Sequence, residues 1–197
     1  MNNYVYIVSC LPVLTPDTEI DAGKILSEIE EQCSERDRDV IHFLLDGFDG
    51  TKLDADFYRK ALAHDSAFIR GYFGYDLDVR NAKARFLNHA FGRPAEADLV
   101  VPDDGERDFE DAAELADILE SADILGREKA LDELMWRKID TLTTFDYFDL
   151  DAILGFVAKL KITDRWLKLD EQTGRELFRR ISEEVRATFK GVEFDGS

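Results

Sequence analysis

The chain has 197 residues, 25 of them basic and 43 acidic, for a formal charge of −18. A field of that sign repels phosphate backbones and anionic membrane surfaces, which argues against nucleic-acid binding and direct membrane insertion. Hydrophobic residues make up 45%, including 14 Phe, so the chain can bury a substantial core as one large domain or two small ones.

In chain order, Tyr4–Leu11 is rich in β-branched and aromatic residues and reads as a single strand, or as an extended arm lying on helices. Pro12 and Pro16 mark a loop. A helix is expected from Glu19, capped by Asp17 or Thr18, with Ile25, Leu26 and Ile29 on its apolar stripe. A second, Arg38–Leu45, turns Val40, Ile41, Leu44 and Leu45 inward. After a turn at Asp46–Gly50, Asp54 caps a third helix carrying Phe57, Ala61 and Leu62. Ser66 caps a long helix to about Phe91, whose apolar residues Ile69, Tyr72, Phe73, Val79 and Phe86 fit a helical period. Gly71 and Gly74 each weaken that helix by up to ~1 kcal/mol against Ala, and point to a bend or a close helix contact near Gly74.

Gly92-Arg-Pro94 ends the long helix, and Ala95–Asp108 reads as a surface connection or mobile loop. Helical patterning resumes over Phe109–Leu119, Leu125–Leu142, Leu150 to Leu160 or beyond, and Thr173–Phe189, before a frayed tail at Gly191–Ser197. The expected fold is therefore mainly α, a helical bundle or array with an extended N-terminal segment. Residues 1–197 read as a single helical domain, and the 95–108 loop marks where two lobes would divide.

Two cysteines, Cys10 and Cys33, make no disulfide framework, and no basic secretory start or membrane-spanning apolar run of about 20 residues is seen. A cytoplasmic protein with reduced thiols is expected. Phosphate-loop, dinucleotide and nucleophile-elbow motifs are absent, and His42, His64 and His89 show no metal-ligand spacing. Asp46, Asp49, Asp54 and Asp56 fail the EF-hand pattern and read as a turn and a cap. Asp146 and Asp149 read as caps at a helix start. No catalytic, cofactor or metal residue is assigned.

Two charged stretches remain. Asp76 and Arg80 stand four residues apart on one helix face, as do Asn81 and Arg85, with Asp76 and Lys83 bordering the apolar stripe. Asp164 and Arg165 adjoin Trp166, where an arginine can stack on the ring and donate to a carboxylate at once. Each stretch has two open readings: a partner-binding face, or a structural role, as a polar network between packed helices for the first and as a core-closing Trp166 with charges that snorkel outward for the second. A pocket combining Asp76 or Asp164 with Arg80 or Arg165 is a third, enzymatic reading.

Tyr4-Val-Tyr-Ile-Val-Ser-Cys-Leu-Pro12, the Asp76–Arg85 block and the Phe145–Leu169 block together resemble an uncharacterised bacterial family encoded beside subunits of a V/A-type ATPase. The resemblance implies a shortened counterpart of the C-type adaptor of these enzymes, called d in eukaryotes. That adaptor is all-helical and non-catalytic, and it joins the central stalk to the membrane ring of a proton- or sodium-translocating ATPase. The resemblance further implies an ATPase subunit or assembly factor without cofactors, cytoplasmic and held at the inner membrane through protein contacts. The Asp76, Arg80, Asn81, Arg85 pattern is similar to a charged helix of that adaptor. The chain departs from it in being much shorter and in lacking its threefold repeat.

Overall fold

Helical periodicity and side-chain caps set the architecture. The computed structural model describes residues 4–15, 20–102 and 109–168. Among these residues the fold is mainly α. It comprises α1 (Val5–Cys10), α2 (Ala22–Gln32), α3 (Glu35–Asp46), α4 (Ala55–Leu62), α5 (Ala67–Ala90), α6 (Ala112–Glu120), α7 (Ile124–Leu142) and α8 (Leu150–Lys168), with no strand. None of the described helices is long and apolar enough to cross a membrane.

The caps explain the boundaries. Asp54 Oδ1 accepts from the Phe57 amide at 2.8 Å, Ser66 Oγ from Ile69 at 3.2 Å, and Asp123 Oδ1 from Gly126 at 3.1 Å. Such a cap stabilises a helix by about 0.5–2 kcal/mol. Ser34 Oγ does the same for Asp37 at 3.2 Å, so α3 begins at Glu35, earlier than its apolar residues alone suggest. Asp21 starts α2, its Oδ1 accepting from Lys24 at 2.9 Å. The expected caps Asp17 and Thr18 lie outside the described residues, as do Thr173–Phe189, Gly191–Ser197 and Asp103–Asp108 of the acidic loop.

The N-terminal segment corrects the extended reading, because Val5–Cys10 is helical. Strand propensity is a weak prior, and burial overrides it here. Tyr4, Ile7, Val8 and Leu11 recur at helical spacing, and all four pack into the core. Tyr6, which an alternating strand would have placed on the face of Tyr4, is 74% exposed. Tyr4 fixes the start: its amide donates to Phe148 O at 2.7 Å, its hydroxyl donates to Asp37, and that hydroxyl accepts from the Ser34 amide at 3.3 Å.

α5 packs against α4, α6, α7 and α8, and α8 against α2, α3, α5 and α7. The core between them is aromatic. Phe43 stacks on Phe57 with centroids 5.0 Å apart, Phe57 meets Phe73 edge-on at 4.9 Å, and Phe68 stacks on Tyr72 at 5.8 Å. Such pairs add about 0.5–1.5 kcal/mol beyond area burial. The close helix approach on α5 falls at Gly71, where a Cβ would lie 2.5 Å from Leu142 Cδ2 of α7. On α8, a Cβ at Gly155 would lie 2.6 Å from Thr143 Cγ2.

Candidate functional site

The charged stretches become ties between helices. On α5, Asp76 and Arg80 do meet, but through a third residue from α4. The Tyr58 hydroxyl donates to Asp76 Oδ2 at 2.5 Å and accepts from Arg80 Nε at 3.0 Å. Tyr58 is fully buried. Burial and the neighbouring Asp76 carboxylate drive its phenol well above the ordinary range, so it stays a neutral donor. Burial also raises the Asp76 carboxyl, while donation from Tyr58 and the charges of Arg80 and Lys83 pull it back.

Asn81 and Arg85 do not pair with each other. Asn81 reads the backbone of Val100 with both ends of its amide, donating to the carbonyl and accepting from the N–H at 2.9 Å each. Arg85 reaches Glu96 at 4.0 Å. Further along α5, Asn88 donates to Ala97 O at 2.6 Å and to Ala95 O at 3.3 Å. It is 2% exposed. These contacts hold the stretch from Ala95 to Val100 against α5. Sequence reasoning misses Asn88, although an asparagine between Leu87 and Ala90 near a helix end is a usable signal.

The second tie lies between α7 and α8. Asp132 Oδ2 accepts from Trp166 Nε1 at 2.6 Å and from the Arg165 guanidinium, whose carbon lies 5.7 Å from the Trp166 ring centroid. Stacking and carboxylate pairing thus occur together, as the Arg-Trp sequence suggests. Sequence reasoning misses Asp132 too, its one signal being an acid beside the buried stripe of Leu131, Leu134 and Met135. Burial raises its carboxyl, and Arg165 and Trp166 lower it. Asp164 takes no part and pairs with Lys168 at 2.6 Å. Tyr72 sits within electrostatic reach of both ties: burial drives its phenol far up, and the carboxylates of Asp76 and Asp132 add to the rise. Lys159 adds to the α7–α8 contact, donating to Asp140 at 2.5 Å with its ammonium 4.8 Å from the Trp136 centroid.

Beside the second tie opens a cleft of about 960 Å³, lined by Leu125, Asp132, Trp136, Ile162, Trp166 and Leu167 among others. Its walls are mainly apolar, and Asp132 is already engaged by two donors. Elsewhere the acidic clusters are used locally. Asp46 pairs with Lys52 at 2.5 Å, Asp49 and Asp54 cap, and Asp56 pairs with Arg59. Asp149 Oδ1 caps α8 through the Ala152 amide at 3.1 Å, and Asp151 accepts from Ser66 Oγ at 3.1 Å. Asp146 makes no such cap: burial and the charges of Asp149 and Asp151 raise its carboxyl. Among the described residues no group of three or more metal-ligand side chains converges. Cys33 is buried and Cys10 exposed, both as free thiols.

Among the described residues the fold and these contacts define a mainly helical protein whose charged residues tie one helix to the next. The chain belongs to the family DUF2764, proteins of unknown function, whose pattern matches residues 49–188. The match takes in both ties and begins after α3. No curated protein and no solved structure matches the chain.

Proposed function

We propose that this protein is a non-catalytic subunit or assembly factor of a V/A-type, proton- or sodium-translocating ATPase, a helical adaptor between central stalk and membrane ring. The observation that carries the reading is the use of its charged residues. Asp76, Arg80, Asp132 and Arg165 are spent on fixing helix against helix. An adaptor that carries load needs helices of fixed register, and ties of this kind supply it. The identity of the complex rests on the resemblance of the Tyr4–Pro12, Asp76–Arg85 and Phe145–Leu169 blocks. On this reading the protein is cytoplasmic and reaches the inner membrane through protein contacts.

The test is affinity purification of the tagged protein from its native membranes, solubilised in mild detergent. Recovery of central-stalk and ring subunits in fixed stoichiometry is expected. A stable complex lacking every rotor, stalk and ring subunit would overturn the assignment and leave a helical interaction scaffold of another assembly.

A further inference from the structure

The loop joining α7 to α8 turns its rings outward. Phe145 is 85% exposed, Tyr147 66% and Phe148 46%. The hydrogen bond from the Tyr4 amide to Phe148 O brings α1 beside this loop, and with it Tyr6, itself 74% exposed. One exposed apolar side chain is ordinary, but three exposed rings within four consecutive residues, with a fourth two positions from the bonded Tyr4, are not. Interleaved with them are Asp146, Asp149 and Asp151, which form no ion pair among the described residues. Asp149 accepts from an amide at the start of α8, and Asp151, which accepts from Ser66 Oγ, feels the charge of Arg70 as well, so the carboxylates of the loop itself are Asp146 and Asp149. Burial raises the Asp146 carboxyl, and the like charges of Asp149 and Asp151 add to the rise.

We propose that the Phe145–Asp149 loop and the adjoining face of α1 form a docking surface for a basic amphipathic helix of a partner protein. The rings supply anchors for an apolar stripe, and the carboxylates meet lysine or arginine at its rim. Charge selects this occupant over the others. A second copy brings the same surplus of 43 acidic over 25 basic residues, and an anionic membrane is repelled likewise. The inference does not depend on the ATPase reading, because any partner with such a helix satisfies it.

The test titrates a synthetic leucine–lysine amphipathic peptide, and its leucine–glutamate counterpart, into the full chain by calorimetry at low and moderate salt. The wild type binds the basic peptide and not the acidic one. The double variant Phe145→Ser, Tyr147→Ser keeps the net charge, and it weakens binding by about tenfold or more if the rings are anchors. Asp146→Asn with Asp149→Asn, which keeps a capping side chain on α8, weakens it similarly at low salt. An unchanged helical circular dichroism signal and thermal midpoint establish that each variant is folded. Equal binding by the aromatic variant reduces the effect to general attraction by an acidic chain and overturns the proposal. So does the absence of any peptide binding. Anionic-vesicle binding or self-association that disappears in the aromatic variant would reassign the surface to a membrane or to a second copy.

Discussion

Replacing Tyr58 with Phe removes one oxygen and leaves the ring, so the core keeps its volume and the loss is confined to hydrogen bonding. That oxygen serves two partners, Asp76 at 2.5 Å and Arg80 at 3.0 Å, from a side chain with no exposed surface. Stranding a buried polar group costs about 1–3 kcal/mol, more when it is charged, so about 2–3 kcal/mol is expected for the pair of losses. For a chain of this size that corresponds to a midpoint lowered by about 4–12 °C. Urea unfolding followed by far-ultraviolet circular dichroism measures it. The pH dependence carries a second signature. Burial holds the Asp76 carboxyl above its ordinary value and Tyr58 pulls it down, so the variant's carboxyl rises further. An acid whose folded pKa exceeds its unfolded one costs stability at neutral pH. That cost is relieved as pH falls through the folded pKa, with no further gain below the unfolded value near ~3.9. The variant's deficit is therefore widest near neutrality and narrows on acidification. Asp76→Asn is the control, since its amide oxygen still accepts from Tyr58 without the charge. Combined with Asp76→Asn, Tyr58→Phe costs less than it does alone. A Tyr58→Phe deficit below about 0.5 kcal/mol, the ordinary scatter of uninvolved sites, or one that ignores pH, would refute the reasoning.

Three further outcomes follow from the same contacts. Asp132→Ala strands the Trp166 indole N–H and Arg165, lowering stability by about 1–3 kcal/mol; in a Trp136→Phe background it also shifts Trp166 emission, and unchanged emission would deny the bond. Asn88→Ala frees the Ala95 and Ala97 carbonyls, so amide exchange over residues 95–100 accelerates while the buried turns of α5 around Phe73 keep their protection. His64 Nδ1 accepts from the Ser66 amide at 3.0 Å, and burial lowers the ring's pKa, so its fold holds less proton than the unfolded chain. Wild-type stability relative to His64→Asn is therefore full above about 6.5 and falls as pH drops below it; parallel thermal midpoints across that range would contradict this.

Helices are legible in the sequence wherever a cap precedes a periodic stripe, as at Ser66 before Ile69, Tyr72 and Phe73. Val5–Cys10 is not, because its β-branched residues favour a strand locally while the helical spacing of Tyr4, Ile7, Val8 and Leu11 becomes decisive through packing. The ties are half legible. Spacing places Asp76 and Arg80 on one face, and adjacency places Arg165 on Trp166. Their completing residues, Tyr58 and Asp132, lie 18 and 33 positions away from Asp76 and Arg165. Periodicity shows which face of a helix is buried but not which helix it meets, so partners at that separation are set by tertiary packing. Asn81 escapes for the same reason. Its match in spacing is Arg85, yet its partner is the backbone of Val100, which one-dimensional spacing does not bring near.

The division of labour between apolar and charged contacts bears on how the protein is used. Ion pairs in partly buried positions are a weak source of net stability, because desolvation offsets much of their attraction. Their consequence is geometric. Sliding one helix past another by a turn, about 5.4 Å, lets leucine and phenylalanine contacts re-form in a new register. The same slide separates Asp76 from Tyr58 and Asp132 from Trp166, leaving buried charge and an unmet indole N–H. The aromatic core therefore supplies adhesion, and the two ties select one register for α4 against α5 and for α7 against α8. Fixing α7 against α8 also fixes where the loop between them projects, and the amide of Tyr4 pins that loop from the other side. Phe145 and Tyr147 are thus exposed as side chains on a loop whose backbone is held at both ends, so little conformational freedom is left for a partner to freeze out on binding.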